Sequence, residues 1–542
     1  MARMLHYQRP WQQTRGASSM ANLHEHVPRL LERCSHLNQL KQIQALLFGL
    51  AHADTQFFAF KLVRFCALKL SDLDYGRRIF DHLRSPNIYL YTAMITAYAS
   101  HPEHSSSAFL LYRDMVRRAR PRPNHFIYPH VLKSRSEPLE ADIVHGHVLK
   151  SGFGQYPVVQ TALLDSYSRS SSGVDSARLL FDEMHERTVV SWTAMISGYV
   201  RFGLMGDAMS LFEKMPERDV PSWNALIAGC TQNGFFSQAL SILRSMISAS
   251  TSEDGKTRGN RPNAVTVACA LSACGHTGTL QLGKEIHCYI LRNGLALDFY
   301  ISNALIDMYG KCGSLIEARG IFDRTVKRNL TSWNSMINCL ALHGQTRQAI
   351  SVFEEMMTFG VDMLPDEVTF IGLLNACTHG GHVERGQAYF EAMTQDYGIQ
   401  PWIEHYGCLI DLLGRAGKFE EALQVIGAMK IQPDEVIWGS LLNGCRVHGD
   451  IDLAELAVSK LIELDPDNGG YGAMLANLYG EQGKWEEVRR VRKTLKERDA
   501  YKTPGCSWVE INNQLHQFYS VDLTHPRTDE IYTVLESLVD AG

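Results

Sequence analysis

Two His-x-Glu triplets, His101-Pro102-Glu103 and His382-Val383-Glu384, are the first places to look for chemistry in this 542-residue chain. In zinc deaminases a His and two thiolates hold the metal, and the Glu moves protons between the metal-bound water and the base. That constellation needs a Cys-x-x-Cys downstream. The twelve cysteines, Cys34 to Cys506, contain none, and both triplets fall in expected inter-helix turns. Without the ligands there is no zinc and no activated water, so the triplets are decoys. Gly278-x-x-x-x-Gly283-Lys284 imitates the opening of a phosphate-binding loop, but Glu285 stands where Ser or Thr would meet magnesium, and no strand precedes it. The sequence therefore implies no catalytic residue, no metal site, no cofactor and no enzyme activity.

What remains is a set of short polar residues at recurring positions. Ser191-Trp192-Thr193-Ala194-Met195-Ile196 returns as Ser222-Trp223-Asn224-Ala225-Leu226-Ile227 and as Ser332-Trp333-Asn334-Ser335-Met336-Ile337. Trp192 and Trp223 are 31 residues apart, which is one repeat unit. A glycine follows each Trp by 11 positions (Gly203, Gly234, Gly344), where a left-handed residue can end a helix and let the chain reverse. The stripe Ala194, Ile196, Tyr199, Val200 precedes that glycine. Behind it, Ala177/Leu180/Phe181/Met184, Ala208/Leu211/Phe212/Met215, Ala349/Val352/Phe353/Met356 and Ala422/Val425/Ile426/Met429 each fall at i, i+3, i+4, i+7, one apolar helix face. Pairs of short antiparallel helices follow, and stacking them predicts an all-α fold: a right-handed α-solenoid superhelix of helix-turn-helix repeats. Unit types alternate. Short units include 189–219 and 299–329, and longer ones end in a Pro-Asn or Pro-Asp pair, as at Pro123-Asn124, Pro262-Asn263 and Pro365-Asp366. A third type carries a His in its second helix, Lys284-Glu285-Ile286-His287 and more loosely Asp142-Ile143-Val144-His145. The stretch 251–260, rich in Ser, Thr, Gly and charge, is expected to be a flexible insertion.

A single core is not expected at this length, since cores stop growing near about 250–300 residues, and a solenoid avoids that limit. No apolar run approaches the roughly 18 residues that would span a membrane. The formal net charge of −5 argues against a bulk basic footprint but not against a locally positive groove. Scattered cysteines in a long chain without a secretory signal point to a reducing compartment, with the thiols as small buried side chains. The first 24 residues hold Arg3, Arg9, Arg15, Ser18 and Ser19 and no acid, the composition of an organellar transit peptide over about 1–20. Arg489, Arg490, Arg492, Lys493, Lys496 and Arg498 form a basic run that could meet phosphate, a partner protein or only solvent.

Phrases such as Asn303-Ala304-Leu305-Ile306-Asp307-Met308-Tyr309-Gly310-Lys311-Cys312-Gly313 and Asp411-Leu412-Leu413-Gly414-Arg415-Ala416-Gly417 resemble the plant pentatricopeptide repeat family, specifically its PLS subclass of alternating P-, L- and S-type units. The resemblance runs from about Ala21 to the C-terminus. It implies a repeat tract over 21–434, tandem E motifs over 435–502 (Leu464-Asp465-Pro466, Trp485-Glu486-Glu487-Val488-Arg489) and a PG-box/E-plus-like extension over 503–542 (Pro504-Gly505-Cys506-Ser507-Trp508-Val509-Glu510, then His525-Pro526 and Ile531-Tyr532). The chain stops at Gly542, where a longer relative would enter a DYW deaminase domain.

The resemblance implies sequence-specific binding of single-stranded RNA, one base per unit, read by a unit's fifth and last residues. Thr92 with Asn124 is expected to favour adenine, and Thr193 with Asp219 guanine. Asn224 with Asn263, and Asn303 with Asn329, are expected to favour pyrimidines, and Asn334 with Asp366 uracil. Thr161 pairs with Thr188, where the family places Asp or Asn, so its preference stays open. Pro129, Ala268 and Ile371 offer little hydrogen bonding, and Gly407 leaves Asp434 alone. The target resembles A-N-N-G-Y-N-Y-U-N-N-N-N-N-C, the final C being the edited base. The implied role is site recognition in organellar C-to-U RNA editing, with a DYW-type deaminase supplied in trans, a place for multiple organellar editing factors, no membrane, and the mitochondrion as compartment (alternatively the chloroplast). The alternatives are an RNA clamp in stabilisation, splicing or translation, and a protein-binding scaffold of the tetratricopeptide kind. Pure P-type arrays usually fill the first role, and the Trp-Leu-Gly-Tyr wording of the second is absent.

Overall fold

The computed structural model describes residues 27–49, 56–70, 72–118, 120–134, 138–251, 261–359, 363–497, 506–511, 514–519, 523 and 525–540. The expected transit segment, nearly all of the 251–260 insertion and Arg498 lie outside them. The chain divides into two compact units, 1–229 and 230–542, and each is a row of helix pairs.

One repeat shows why the pairs form. Thr188 caps helix Val189–Arg201, its hydroxyl accepting from the Ser191 amide at 3.2 Å. Gly203 (φ 72°) reverses the chain, and helix Met205–Glu213 returns. Gly234 and Gly344 take the same left-handed conformation (φ 78° and 66°). The apolar stripes read from the sequence face inward: Ile196, Tyr199, Val200, Ala208, Leu211, Phe212 and Met215 are all buried. Each Trp is filler between elements. Trp192, Trp223 and Trp333 meet Phe181, Phe212 and Phe322 edge-on at 4.9, 4.8 and 5.0 Å. An arginine five residues before each Trp covers that joint. Arg187, Arg218 and Arg328 lie over the Phe ring and donate to the last carbonyls of the preceding helix, as Arg328 does to Phe322 at 3.0 Å and Asp323 at 3.1 Å.

Units are joined mainly through their first helices. Helix Ala264–Thr277 packs on Phe299–Lys311, Phe299–Lys311 on Leu330–Leu342, Leu330–Leu342 on Glu367–Gly380, and Ile403–Arg415 on Glu435–His448. In the first unit Ile88–Ser100, Ile127–Lys133, Pro157–Tyr167 and Val189–Arg201 form the same row. The histidines of the third unit type tie a second helix to the next first helix. His145 Nδ1 lies 2.9 Å from the Tyr167 hydroxyl, which donates to Asp142 Oδ1 at 2.9 Å, and His287 Nδ1 lies 2.9 Å from the Tyr309 hydroxyl.

The cysteines are mostly core. Burial pushes the thiols of Cys339 and Cys445 up to about 12, far from the thiolate a nucleophile needs. No helix among the described residues is long and apolar enough to cross a membrane. The helices Glu435–His448, Ile451–Leu464, Gly469–Glu481 and Trp485–Glu497 continue the all-α array as expected, and one strand pair is added after them. Cys506–Ile511 and Gln514–Tyr519 pair as an antiparallel hairpin, in register from Cys506↔Tyr519 to Ile511↔Gln514, ahead of helix Thr528–Asp540.

Candidate nucleic-acid interface

The helix boundaries put the reading positions in two defined places. Helices begin at Ile88, Pro157, Val189, Phe299 and Leu330, so Thr92, Thr161, Thr193, Asn303 and Asn334 each sit one turn inside. The last residue of a unit falls just before the next first helix and caps it. Asn329 and Asp366 form full capping boxes with Ser332 and Thr369, as Asn263 does with Thr266. Asp219 Oδ1 accepts from the Ser222 amide at 2.9 Å, and Asp434 Oδ1 from Val436 and Ile437 at 3.0 and 3.2 Å. Asn124 Oδ1 accepts from Phe126 and Ile127 at 3.2 and 3.3 Å.

Capping uses one end of the side chain and leaves the other. Asp366 Oδ1 accepts from the Thr369 amide (2.9 Å), the Thr369 hydroxyl (2.8 Å) and Asn334 Nδ2 (2.8 Å). Its Oδ2 has no hydrogen-bond partner among the described residues. Asn329 Oδ1 accepts from the Ser332 amide (3.0 Å), the Ser332 hydroxyl (2.9 Å) and Asn303 Nδ2 (3.4 Å), and its own amide nitrogen is left over. An aspartate in this frame presents an acceptor, and an asparagine presents a donor.

The fifth residues are partly committed as well. The hydroxyls of Thr92, Thr161 and Thr193 donate to the carbonyls of Ile88, Pro157 and Val189 at 2.8, 2.8 and 2.9 Å, which leaves lone pairs as acceptors. Asn303 Oδ1 is buried without a hydrogen-bond partner among the described residues, an orphan acceptor beside the Asn329 amide. Asn334 is 4% exposed, with Nδ2 on Asp366 and Oδ1 2.7 Å from the Thr369 hydroxyl, whose one proton it shares with Asp366 Oδ1. It orients Asp366 from behind. Asn224 is half-buried at the equivalent place. Side chain meets side chain in the pairs Asn303–Asn329 and Asn334–Asp366, whereas Thr92–Asn124, Thr161–Thr188 and Thr193–Asp219 share no direct hydrogen bond. Ala268 and Gly407 are buried, and Pro129 and Ile371 half-buried.

Two further features share this face. Three residues before the fifth position stands an exposed apolar side chain: Tyr89, Val158, Val190, Val265, Tyr300 and Val368 are between 40% and 67% exposed. At i, i+3 each lies beside the reading position, where it can cover the face of a base. The signal was present in the sequence as Val or Tyr at the second helix position. Eight residues after the fifth position the same face carries Arg169, Arg201, Lys311 and Arg415. Arg169, Lys311 and Arg415 are paired with the acid one turn earlier, Asp165, Asp307 and Asp411, at 2.6, 2.9 and 2.9 Å. A groove of about 360 Å³ opens there between Asp307, Lys311, Asn338, Asn375 and His379.

The sequence decoys stand apart from this. His101 ends its helix with Nδ1 on the Ala97 carbonyl at 2.8 Å, and His382 precedes helix Val383–Gln395. No group of three His, Cys, Asp or Glu able to hold a metal occurs among the described residues. Gly278 is a left-handed helix C-cap (φ 67°), and Lys284 lies 3.9 Å from Glu317. The exposed cations of helix Trp485–Glu497 are partly paired, Arg490 with Glu487 and Lys493 with Glu497 at 3.7 Å.

Stacked helix pairs, with polar residues capping the first helix of successive pairs, define a helical-repeat protein. Residues 190–220, 221–250, 300–330 and 404–431 match the PPR repeat model, 328–379 the PPR repeat family model, and 448–510 the E motif model. Pentatricopeptide repeat-containing protein At1g33350 of Arabidopsis thaliana is 57% identical, covering 95% of this chain and 96% of that protein. Another from the same plant, At1g59720, named chloroplastic/mitochondrial, is 34% identical over 97% of this chain and 78% of its own length. Among solved structures the chain is similar to PPR10 from maize (16% identity, TM-score 0.41, 90% of this chain and 87% of that one), which is also solved in complex with an 18-nt psaJ RNA element. The chain belongs to the pentatricopeptide repeat family, in its PLS subclass with a C-terminal E motif.

Proposed function

We propose that this chain binds single-stranded RNA base by base and serves as the site-recognition factor for C-to-U editing of an organellar transcript, with the deaminase arriving on another chain. The observation that carries the reading is the division of labour in the capping residues. In Asn124, Asp219, Asn329 and Asp366 one end is fixed by the helix, so the other is left as a defined donor or acceptor. An acceptor from Asp366 suits the N3–H of uracil, and one from Asp219 the N1–H of guanine. A donor from Asn124 or Asn329 suits the lone pair at adenine N1 or cytosine N3. For Asn303–Asn329 this narrows the pyrimidine to cytosine. The apolar residues beside Thr92, Thr161, Thr193 and Asn303 cover the base face and keep water out, which makes a mismatched edge costly. Arg201, and the cations beside their aspartates, would meet phosphate with a shallow salt dependence, since three of the four are already paired.

The E motif match favours editing over simple clamping. Transcript sequencing from plants with and without the gene tests it. Editing should vanish at a cytidine lying four nucleotides beyond the base that faces Gly407 and Asp434, within A-N-N-G-Y-N-Y-U-N-N-N-N-N-C. Unchanged editing at every cytidine that fits would overturn the role. Stable RNA binding with intact editing would turn the chain into a clamp for processing or translation.

A further inference from the structure

The units 125–156, 264–298 and 367–402, each following a Pro-Asn or Pro-Asp pair, carry Pro129, Ala268 and Ile371 at the fifth position, none of which can hydrogen-bond a base edge through its side chain. Their last residues divide them. Asp298 caps the next helix in the ordinary way, accepting from Tyr300 and Ile301 at 3.1 and 3.0 Å. Tyr156 and Trp402 place an aromatic ring where other units place Asn, Asp or Thr, and each is 44% exposed. Neither side chain makes a cap hydrogen bond.

At Trp402 the cap has been moved to another residue. His405, fully buried, accepts the Trp402 backbone N–H on Nδ1 at 3.0 Å, and its Nε2 donates to the Glu367 carbonyl at 2.9 Å. The backbone is thus held from inside by imidazole, as Ser332 and Thr369 hold Asn329 and Asp366 by hydroxyl at 3.3 and 3.1 Å. The indole is left with no capping duty, its edge contact with His405 at 5.9 Å leaving it 44% exposed. Tyr156 is backed on one side by His125, stacked at 4.9 Å and 21°, with Phe153 edge-on at 5.4 Å. Both rings lie in the reading register, next in line to an exposed apolar residue of the adjoining first helix, Val158 in one case and Val368 at the start of the other unit.

We propose that units 125–156 and 367–402 hold their nucleotides by stacking the base on Tyr156 and Trp402 instead of reading its edge. The proposal rests on the RNA-binding reading above and assigns a contact to two units whose fifth residues read nothing. Every base has a π-face, so such a contact adds affinity without specifying sequence, and it keeps the strand in register between reading units. The second and ninth positions of the target are then unspecified yet occupied.

The test titrates the full chain with the target RNA, with a scrambled RNA, and with target RNAs carrying an abasic nucleotide at the second or ninth position. Stacking predicts that either abasic site weakens binding roughly 5- to 100-fold, while exchanging the four bases there changes it by less than about threefold. Trp402→Ala should lose a similar factor and become indifferent to the abasic site at position nine, whereas Trp402→Phe keeps most of both. The wild-type abasic measurement needs no variant to fold. If target and scrambled RNA bind alike, base reading fails and the stacking proposal falls with it. If they differ but the abasic sites are silent, or cost the same in Trp402→Ala, stacking alone is overturned.

Discussion

Asp366→Asn exchanges the outward-facing end of one side chain and leaves its inward-facing end in place. The three bonds accepted by Asp366 Oδ1, from the Thr369 amide, the Thr369 hydroxyl and Asn334 Nδ2, can all be accepted by an amide oxygen. Asn and Asp are near-equal N-caps, so stability should shift by less than about 0.5 kcal/mol. What changes is Oδ2, an acceptor that becomes an N–H₂ donor. A hydrogen bond from a base N–H to a carboxylate is worth about 1.5–3 kcal/mol, and opposing two donors forfeits it. The wild type should therefore prefer uracil over cytosine at the eighth target position by roughly 10- to 100-fold, and Asp366→Asn should reverse the order. Fluorescence anisotropy with four RNAs differing only at that base measures it, beside thermal melts of both proteins. A variant that melts normally and still prefers uracil, or that loses uracil without gaining cytosine, would refute the claim that the free carboxylate oxygen does the reading.

Three other outcomes follow from packing and titration. Trp333→Ala removes a ring that is 1% exposed between Phe322 (5.0 Å) and Phe359 (5.3 Å), and denaturant unfolding should show a loss of about 3–5 kcal/mol; a loss under about 1 kcal/mol would mean the Trp is not core filler. Gly444→Ala drives a Cβ to 2.7 Å from the Gly414 Cα, backbone against backbone where helices Ile403–Arg415 and Glu435–His448 cross, and should cost about 1–3 kcal/mol; an unchanged melting temperature would contradict that contact. Burial lowers the pKa of His145, His287 and His405 below the ordinary 6.5, so the folded chain holds them neutral while the unfolded chain protonates them. Their stabilisation is complete above pH 6.5 and is lost as pH falls toward the lowered folded values, so melts at pH 7.5 and 5.5 should differ, with His405→Asn reducing the difference. A melting temperature that rises on acidification, or a variant with the full acid sensitivity, would argue against it.

The repeat was legible because its determinants are local and periodic. The stripes Ala177/Leu180/Phe181/Met184 and Ala208/Leu211/Phe212/Met215 became buried helix faces, Ala422/Val425/Ile426/Met429 became a partly buried one, and the glycine 11 residues after each Trp became the left-handed reversal. The positions proposed to read bases follow from register alone. Their chemistry could not, because it depends on which end of Asn329 or Asp366 the cap uses, and that is set by Ser332, Thr369 and Asn334 in three dimensions. Asn334 is 4% exposed and bonded to Asp366, which the sequence did not show, and in the proposed reading it positions that carboxylate. The apolar residues at the second helix position blend with ordinary helix-start residues until their exposure is seen. The hairpin was hidden for another reason. Trp508-Val509-Glu510-Ile511 and Leu515-His516-Gln517-Phe518 alternate weakly over only a few residues, which is too short to outweigh a long helical array.

The central claim is that the outward ends of the capping residues specify an ordered series of bases. Selection of RNAs from a random pool by the full chain tests it most directly. The account predicts an enriched series of adenine, two free positions, guanine, a pyrimidine, one free position, cytosine and uracil, with guanine facing Thr193/Asp219 and uracil facing Asn334/Asp366. An enriched series without guanine and uracil four positions apart, or a pool with no sequence preference, would contradict it.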